Sequence, residues 1–132
     1  MGLKLKLRAG ECLFLSGALI RNGNTNTEIE ILNKVAILRE KDLMLEAEAI
    51  TPCQKVYFAL QTLYLQPGSE VELYAVLSRL LLEVMKAAPS TSILLEQIHD
   101  KVTVKSYFEA LKLAKELIDY ESTLTEHAKA AK

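Results

Sequence analysis

The sequence predicts an α+β protein, with an N-terminal antiparallel β unit over residues 1–48 and a unit of about four helices over residues 49–132. Three observations carry this. Leu3, Leu5 and Leu7 alternate with Lys4, Lys6 and Arg8, the two-residue period of a half-buried strand. Thr51-Pro52-Cys53-Gln54 has the spacing of a capping box with proline at the first helical position, and starts a helix. Beyond it, apolar residues recur at helical spacing up to Ile118.

In chain order, Gly10 marks a turn after the first strand. Cys12–Leu15 and Ala18–Arg21 read as short strands separated by Ser16-Gly17. Asn22-Gly23 is a turn signal, because both residues tolerate positive φ. Ile29-x-Ile31 and Val35–Leu38 supply the later strands. The first helix runs from Thr51 to Leu65 and is stopped by Pro67-Gly68. Ser69 and Glu72 repeat the capping-box spacing and open a second helix, with Val71, Tyr74, Leu77, Leu81, Val84 and Met85 on one stripe and Pro89 at its end. A third helix spans Ile93 to Val102. A fourth starts near Lys105 with Phe108, Leu111, Ala114, Leu117 and Ile118 on its inner face, and the tail from Thr125, which lacks an apolar stripe, is expected to fray.

Composition narrows the function. With 132 residues and 50% hydrophobic content the chain can bury a core. Its net charge of -1 gives no global positive field, so any binding to nucleic acid must be local. The first 39 residues hold six basic side chains (Lys4, Lys6, Arg8, Arg21, Lys34, Arg39) against three acidic ones (Glu11, Glu28, Glu30). No apolar run approaches the ~20 residues of a membrane helix, and no signal segment opens the sequence, so a cytoplasmic protein with free thiols at Cys12 and Cys53 is expected. His99 and His127 have no partners at metal-ligand spacing. There is no glycine-rich phosphate loop and no nucleophile elbow. No enzyme and no cofactor are expected.

Lys4, Lys6 and Arg8, with Arg21 and Arg39 from other strands, are candidates to neutralise RNA phosphates. The competing reading is a lysine-lined edge strand that resists aggregation. Tyr57 and Phe58 lie on different sides of the first helix. One must pack against the core, and Tyr57 is the candidate for exposure and base stacking. Short strands with uncovered edges predict a homo-oligomer.

Several separated motifs occur in order: Leu5-x-Leu7-x-Ala9-Gly10-Glu11, Gly17-Ala18-Leu19-Ile20-Arg21-Asn22, Leu38-Arg39-Glu40-Lys41-Asp42, Thr51-Pro52-Cys53-Gln54, Tyr57-Phe58-x-x-Gln61-Thr62 and Phe108-Glu109-Ala110-Leu111-Lys112. With these the chain resembles the FlbT family over nearly its whole length. The resemblance implies a post-transcriptional regulator that associates with the 5′ untranslated region of flagellin messages and promotes their decay, or in some relatives activates them. It implies the flagellin mRNA leader as partner. The polar stretch 22–27 departs from the more basic loop of that family. The β unit alone has a fainter similarity to CsrA, a dimeric translational regulator, in Arg8-Ala9-Gly10-Glu11-Cys12-Leu13 and Val35-Ala36-Ile37-Leu38-Arg39-Glu40. That similarity implies an RNA contact for Arg39, although Leu38 stands where CsrA has histidine. The alternative is an adaptor whose helical half docks flagellin or another flagellar regulator. An apolar or Met-containing groove left open among the helices would favour that alternative; basic residues converging on one surface would favour RNA.

Overall fold

The structure, a computed structural model, describes the backbone of residues 2–66 and 68–130, with side chains up to 126. It is α+β. Five short strands, β1 (Leu3–Leu7), β2 (Cys12–Leu15), β3 (Ala18–Arg21), β4 (Thr27–Ile31) and β5 (Ile37–Arg39), precede four helices, α1 (Pro52–Leu65), α2 (Glu70–Ala87), α3 (Ser92–Thr103) and α4 (Tyr107–Ala130). The chain separates into two compact units, Met1–Leu43 and Met44–Lys132. Residues 44–48 go with the helices because the buried Gln61 amide on α1 accepts from the Met44 N–H and donates to the Met44 carbonyl, both at 2.8 Å.

The β unit holds two small antiparallel sheets: the pair β1-β4, and the order β3-β2-β5. Ser16 (φ 45°) and Gly17 (φ 92°) make the tight turn of the β2-β3 hairpin, whose twist requires positive φ at both positions. Neither Asn22 nor Gly23 adopts positive φ, so the expected tight turn there is absent. The Asn22 side chain does the folding work instead, with its amide donating to the carbonyls of Arg8 (2.8 Å) and Thr25 (2.9 Å). Leu7, Leu13 and Leu38 are the buried apolar residues of this unit, and Leu3 remains 52% exposed.

Helix α1 begins as expected. Thr51 accepts from the Gln54 N–H at 3.2 Å while the Gln54 side chain accepts from the Thr51 N–H at 3.0 Å. Glu121 of α4 completes the cap, accepting the Thr51 hydroxyl proton and lying 3.4 Å from the Cys53 N–H. A carboxylate at a helix N-terminus is also favoured by the helix dipole. Thr51→Ala should therefore lower stability by about 0.5–2 kcal/mol, and Thr51→Ser should recover most of it, as read from urea unfolding midpoints.

Four details of the helical unit differ from the expectation. Ser69 makes no side-chain cap; Glu70 accepts from the Gly68 N–H instead. On α2 the buried row is Leu77, Leu80 and Val84, while Val71 is 87% exposed, because α2 carries more apolar residues than one face can bury. Phe108 is partly exposed and packs against Tyr64 in a tilted pair, 5.7 Å between ring centroids, with the Lys112 ammonium over its ring at 4.9 Å from the centroid. Helix α4 continues through Thr125 to Ala130, contrary to the expected fraying. Pro67 and residues 131–132 lie outside the described residues, as do the side chains of His127 and Lys129. Among the described residues no helix is long and apolar enough to cross a membrane.

Candidate nucleic-acid interface

Three of the six residues singled out from sequence meet at one place. Lys6, Arg8 and Arg39 line an open depression in the β unit, together with Lys41 and the carboxylates of Glu11, Glu28 and Glu40. The depression is framed by the turn after β1. Gly10 at φ 75° lets the chain reverse, the Glu11 N–H returns to the Arg8 carbonyl at 3.0 Å, and the Glu11 side chain accepts from the Arg8 N–H at 2.9 Å. Asn26 closes the opposite wall by accepting from the Ala9 N–H at 3.1 Å. The polar stretch 22–27 thus holds the turn.

Arg39 is a structural side chain first. Its Nη2 donates to the Lys6 carbonyl and pairs with Glu11 at 3.2 Å, tying β5 to the end of β1 and the start of β2. Glu40, the sequence neighbour of Arg39, instead accepts from the Cys12 N–H at 3.1 Å. The Arg8 N–H bond lowers the Glu11 pKa most, against the raising effect of desolvation, and Arg39 adds to the lowering. Glu11 therefore stays ionised under neutral conditions. Two of the three carboxylates are thus committed to holding the backbone, while Lys6, Arg8 and Lys41 are exposed. Lys41 was missed by reading strand faces alone; its signal is its place two residues after Arg39 in Leu38-Arg39-Glu40-Lys41-Asp42.

The other three candidates lie elsewhere. Arg21 on β3 stands opposite Cys12, and its pKa is raised by the Cys12 side chain first and by Glu40 to a lesser degree. Lys4 is opposite Glu30 across the β1-β4 pair, and Lys6 is opposite Glu28. The expected basic ladder is therefore a face of alternating charge, since cross-strand partners of opposite sign sit within reach of each other. Tyr57 is 6% exposed in the helical unit, which corrects its expected exposure: the α1 face carrying Val56, Tyr57 and Leu60 is buried on both sides of the aromatic pair. No ring on α1 is open for a base to stack on at that position.

The remaining chemistry is quiet. Burial first, then the neighbouring Glu121 carboxylate, pushes the Cys53 thiol up to about 12, so it stays protonated and is a poor nucleophile at neutral pH. His99 is exposed on α3 beside Asp100. Among the described residues no cluster of His, Cys, Asp and Glu could hold a metal ion.

Comparison with known proteins agrees with the motif reading. Residues 3–125 match the family model described as "Flagellar protein FlbT". The chain is 33% identical over 129 residues to the "Probable flagellum biosynthesis repressor protein FlbT" of Caulobacter sp. (strain K31), covering 96% of this chain and 98% of that one. It is also 33% identical over 129 residues to the "Flagellum biosynthesis repressor protein FlbT" of Caulobacter vibrioides, with 96% and 92% covered. A relative from Bradyrhizobium diazoefficiens, "Probable flagellum biosynthesis repressor protein FlbT 1", is 30% identical over 125 residues, with 94% and 85% covered. No solved structure matches. With the family model spanning both the strands and the helices, the chain belongs to the FlbT family of flagellar proteins.

Proposed function

We propose that this protein regulates flagellum biosynthesis by occupying the 5′ untranslated leader of a flagellin message, with cellular nucleases carrying out the decay. The name shared by its relatives supports the flagellar role. The observation that carries the RNA contact is the gathering of Lys6, Arg8 and Lys41 around one depression whose neighbouring carboxylates Glu11 and Glu40 are held by backbone N–H groups. Phosphates approaching there meet exposed cations, while Glu11 and Glu40 are hydrogen-bonded to backbone N–H groups and Glu28 faces Lys6 across the strand pair. The interface is electrostatic and small, so its affinity falls with salt along a modest slope of roughly 0.7 for each phosphate contacted.

Purified protein titrated with a flagellin leader RNA over a range of salt concentrations tests this. Arg8→Ala and Lys41→Ala should each weaken binding to many sequences alike and flatten the plot of log K against log salt by roughly 0.7 for each phosphate left without its cation. Lys55→Ala, an exposed lysine on α1, should leave both unchanged. Equal affinity for Arg8→Ala and Lys55→Ala, or no binding at low salt, would sink the RNA reading. A second reading, an adaptor that docks another flagellar protein through the helices, is favoured by an open apolar groove between α2 and α3.

A further inference from the structure

Helices α2 and α3 are joined through the turn at Pro89–Thr91 but otherwise hardly pack on each other. Helix α2 leans on α1, and α3 leans on α4. The seam between them is therefore open. Leu81, Leu82 and Met85 of α2 and Leu95 of α3 form its floor, and the same seam continues past Tyr74 and Val102. Leu82 is 55% exposed and Met85 38% exposed, although both sit on a surface that already has apolar neighbours. From Tyr74 to Met85 the groove runs roughly 16 Å, at about 1.5 Å per helical residue. That accommodates about three turns of a third helix.

The lips of the groove have opposite charge. Arg79 and Lys86 lie three residues before and four residues after Leu82, so they flank it on the outer side of α2, and both are exposed. On α3, Glu96 lines the groove and Asp100 follows four residues later, also exposed. Lys105 closes the far end. An apolar floor between one basic and one acidic lip does not suit nucleic acid, whose backbone is uniformly negative. Nor does it offer free backbone groups for an added strand, because both walls are helices whose backbone bonds are internal.

We propose that the α2-α3 seam is a docking groove for an amphipathic helix of a partner protein. The occupant has an apolar stripe at i, i+3 or i+4, and i+7, with acidic residues on the flank facing Arg79 and Lys86 and basic residues on the flank facing Glu96 and Asp100. Turning such a helix end for end would exchange its flanks, so the charged lips select one direction as well as adding affinity. Met85 suits this role because its flexible thioether adapts to the shape of an incoming side chain. The site is separate from the RNA-binding proposal, and each can fail alone.

The probe is a fluorescein-labelled synthetic 16-residue helix with leucines on one stripe, glutamates on one flank and lysines on the other, titrated against the full chain and followed by anisotropy. Two control peptides carry glutamate, or lysine, on both flanks. The mixed peptide should bind, both controls should bind at least about threefold more weakly, and Leu82→Glu or Met85→Glu should weaken the mixed peptide at least tenfold while the circular dichroism of the protein is unchanged. A spin label on one end of the peptide should broaden amide signals at one end of the groove only. Binding weaker than about 1 mM, equal binding of the three peptides, or indifference to Met85→Glu would overturn the proposal. So would light scattering in which Met85→Glu lowers the mass of an oligomer, because the occupant would then be a second copy of this chain.

Discussion

Leu13→Ala should destabilise the β unit by about 2–5 kcal/mol, the range for emptying a fully enclosed leucine site. Leu13 is 0% exposed on β2, the central strand of its sheet, opposite Ile20 of β3 and Arg39 of β5. This unit has few buried apolar residues to share the loss, and typical domains have only about 5–15 kcal/mol in total. The effect should reach function. Arg39 follows Leu38 out of β5, and its link to the Lys6 carbonyl shapes the depression that holds Lys6 and Arg8. Amide hydrogen exchange should accelerate throughout β2 and β5, and affinity for leader RNA should fall although no phosphate-contacting charge has been removed. Unchanged protection at Phe14 and Leu38 would show that Leu13 is not the centre of this core.

What the sequence made legible was local. Strict alternation from Leu3 to Leu7 located β1, and Thr51, Pro52 and Gln54 located the start of α1, because strand period and helix caps depend on residues a few positions apart. What it hid was register and long-range pairing. That Lys4 and Lys6 face Glu30 and Glu28 depends on how β4 slides against β1, and a one-residue slip would exchange the faces. Arg39 finds Glu11 rather than its sequence neighbour Glu40, whose carboxylate is held on the Cys12 N–H, and both links follow from β5 lying beside β2. Helix α2 misled for a different reason. It carries two apolar rows, and only packing decides that Leu80 is buried while Leu82 and Met85 stay open. The family motifs were readable as signatures before their physical roles were. The Gly10-Glu11 pair builds the turn, and Gln61 fastens the segment ahead of α1.

Gln61 supports the second large expectation. It is a buried polar side chain, 6% exposed, and its amide satisfies both backbone groups of Met44 as a neighbouring strand would. Gln61→Ala leaves that N–H and that carbonyl, both part-buried, without their partner; orphaning a polar group away from water costs about 1–3 kcal/mol, and less where water replaces the bond. Gln61→Glu separates hydrogen bonding from packing. A protonated glutamic acid can still accept from the Met44 N–H and donate to its carbonyl, whereas a carboxylate sets an oxygen against the carbonyl and carries a charge into a buried site. Both effects favour the protonated form in the folded protein, so the pKa of the introduced side chain is raised above the ordinary glutamate value of about 4.3. Stability is then near that of the parent below pH ~4.3, declines as pH rises from there, and levels off above the raised folded value. Urea unfolding of the parent, Gln61→Ala and Gln61→Glu at several pH values measures this. A Glu variant whose deficit relative to the parent does not grow with pH would show that the Met44 bonds contribute nothing, and that Gln61 is retained for its shape alone.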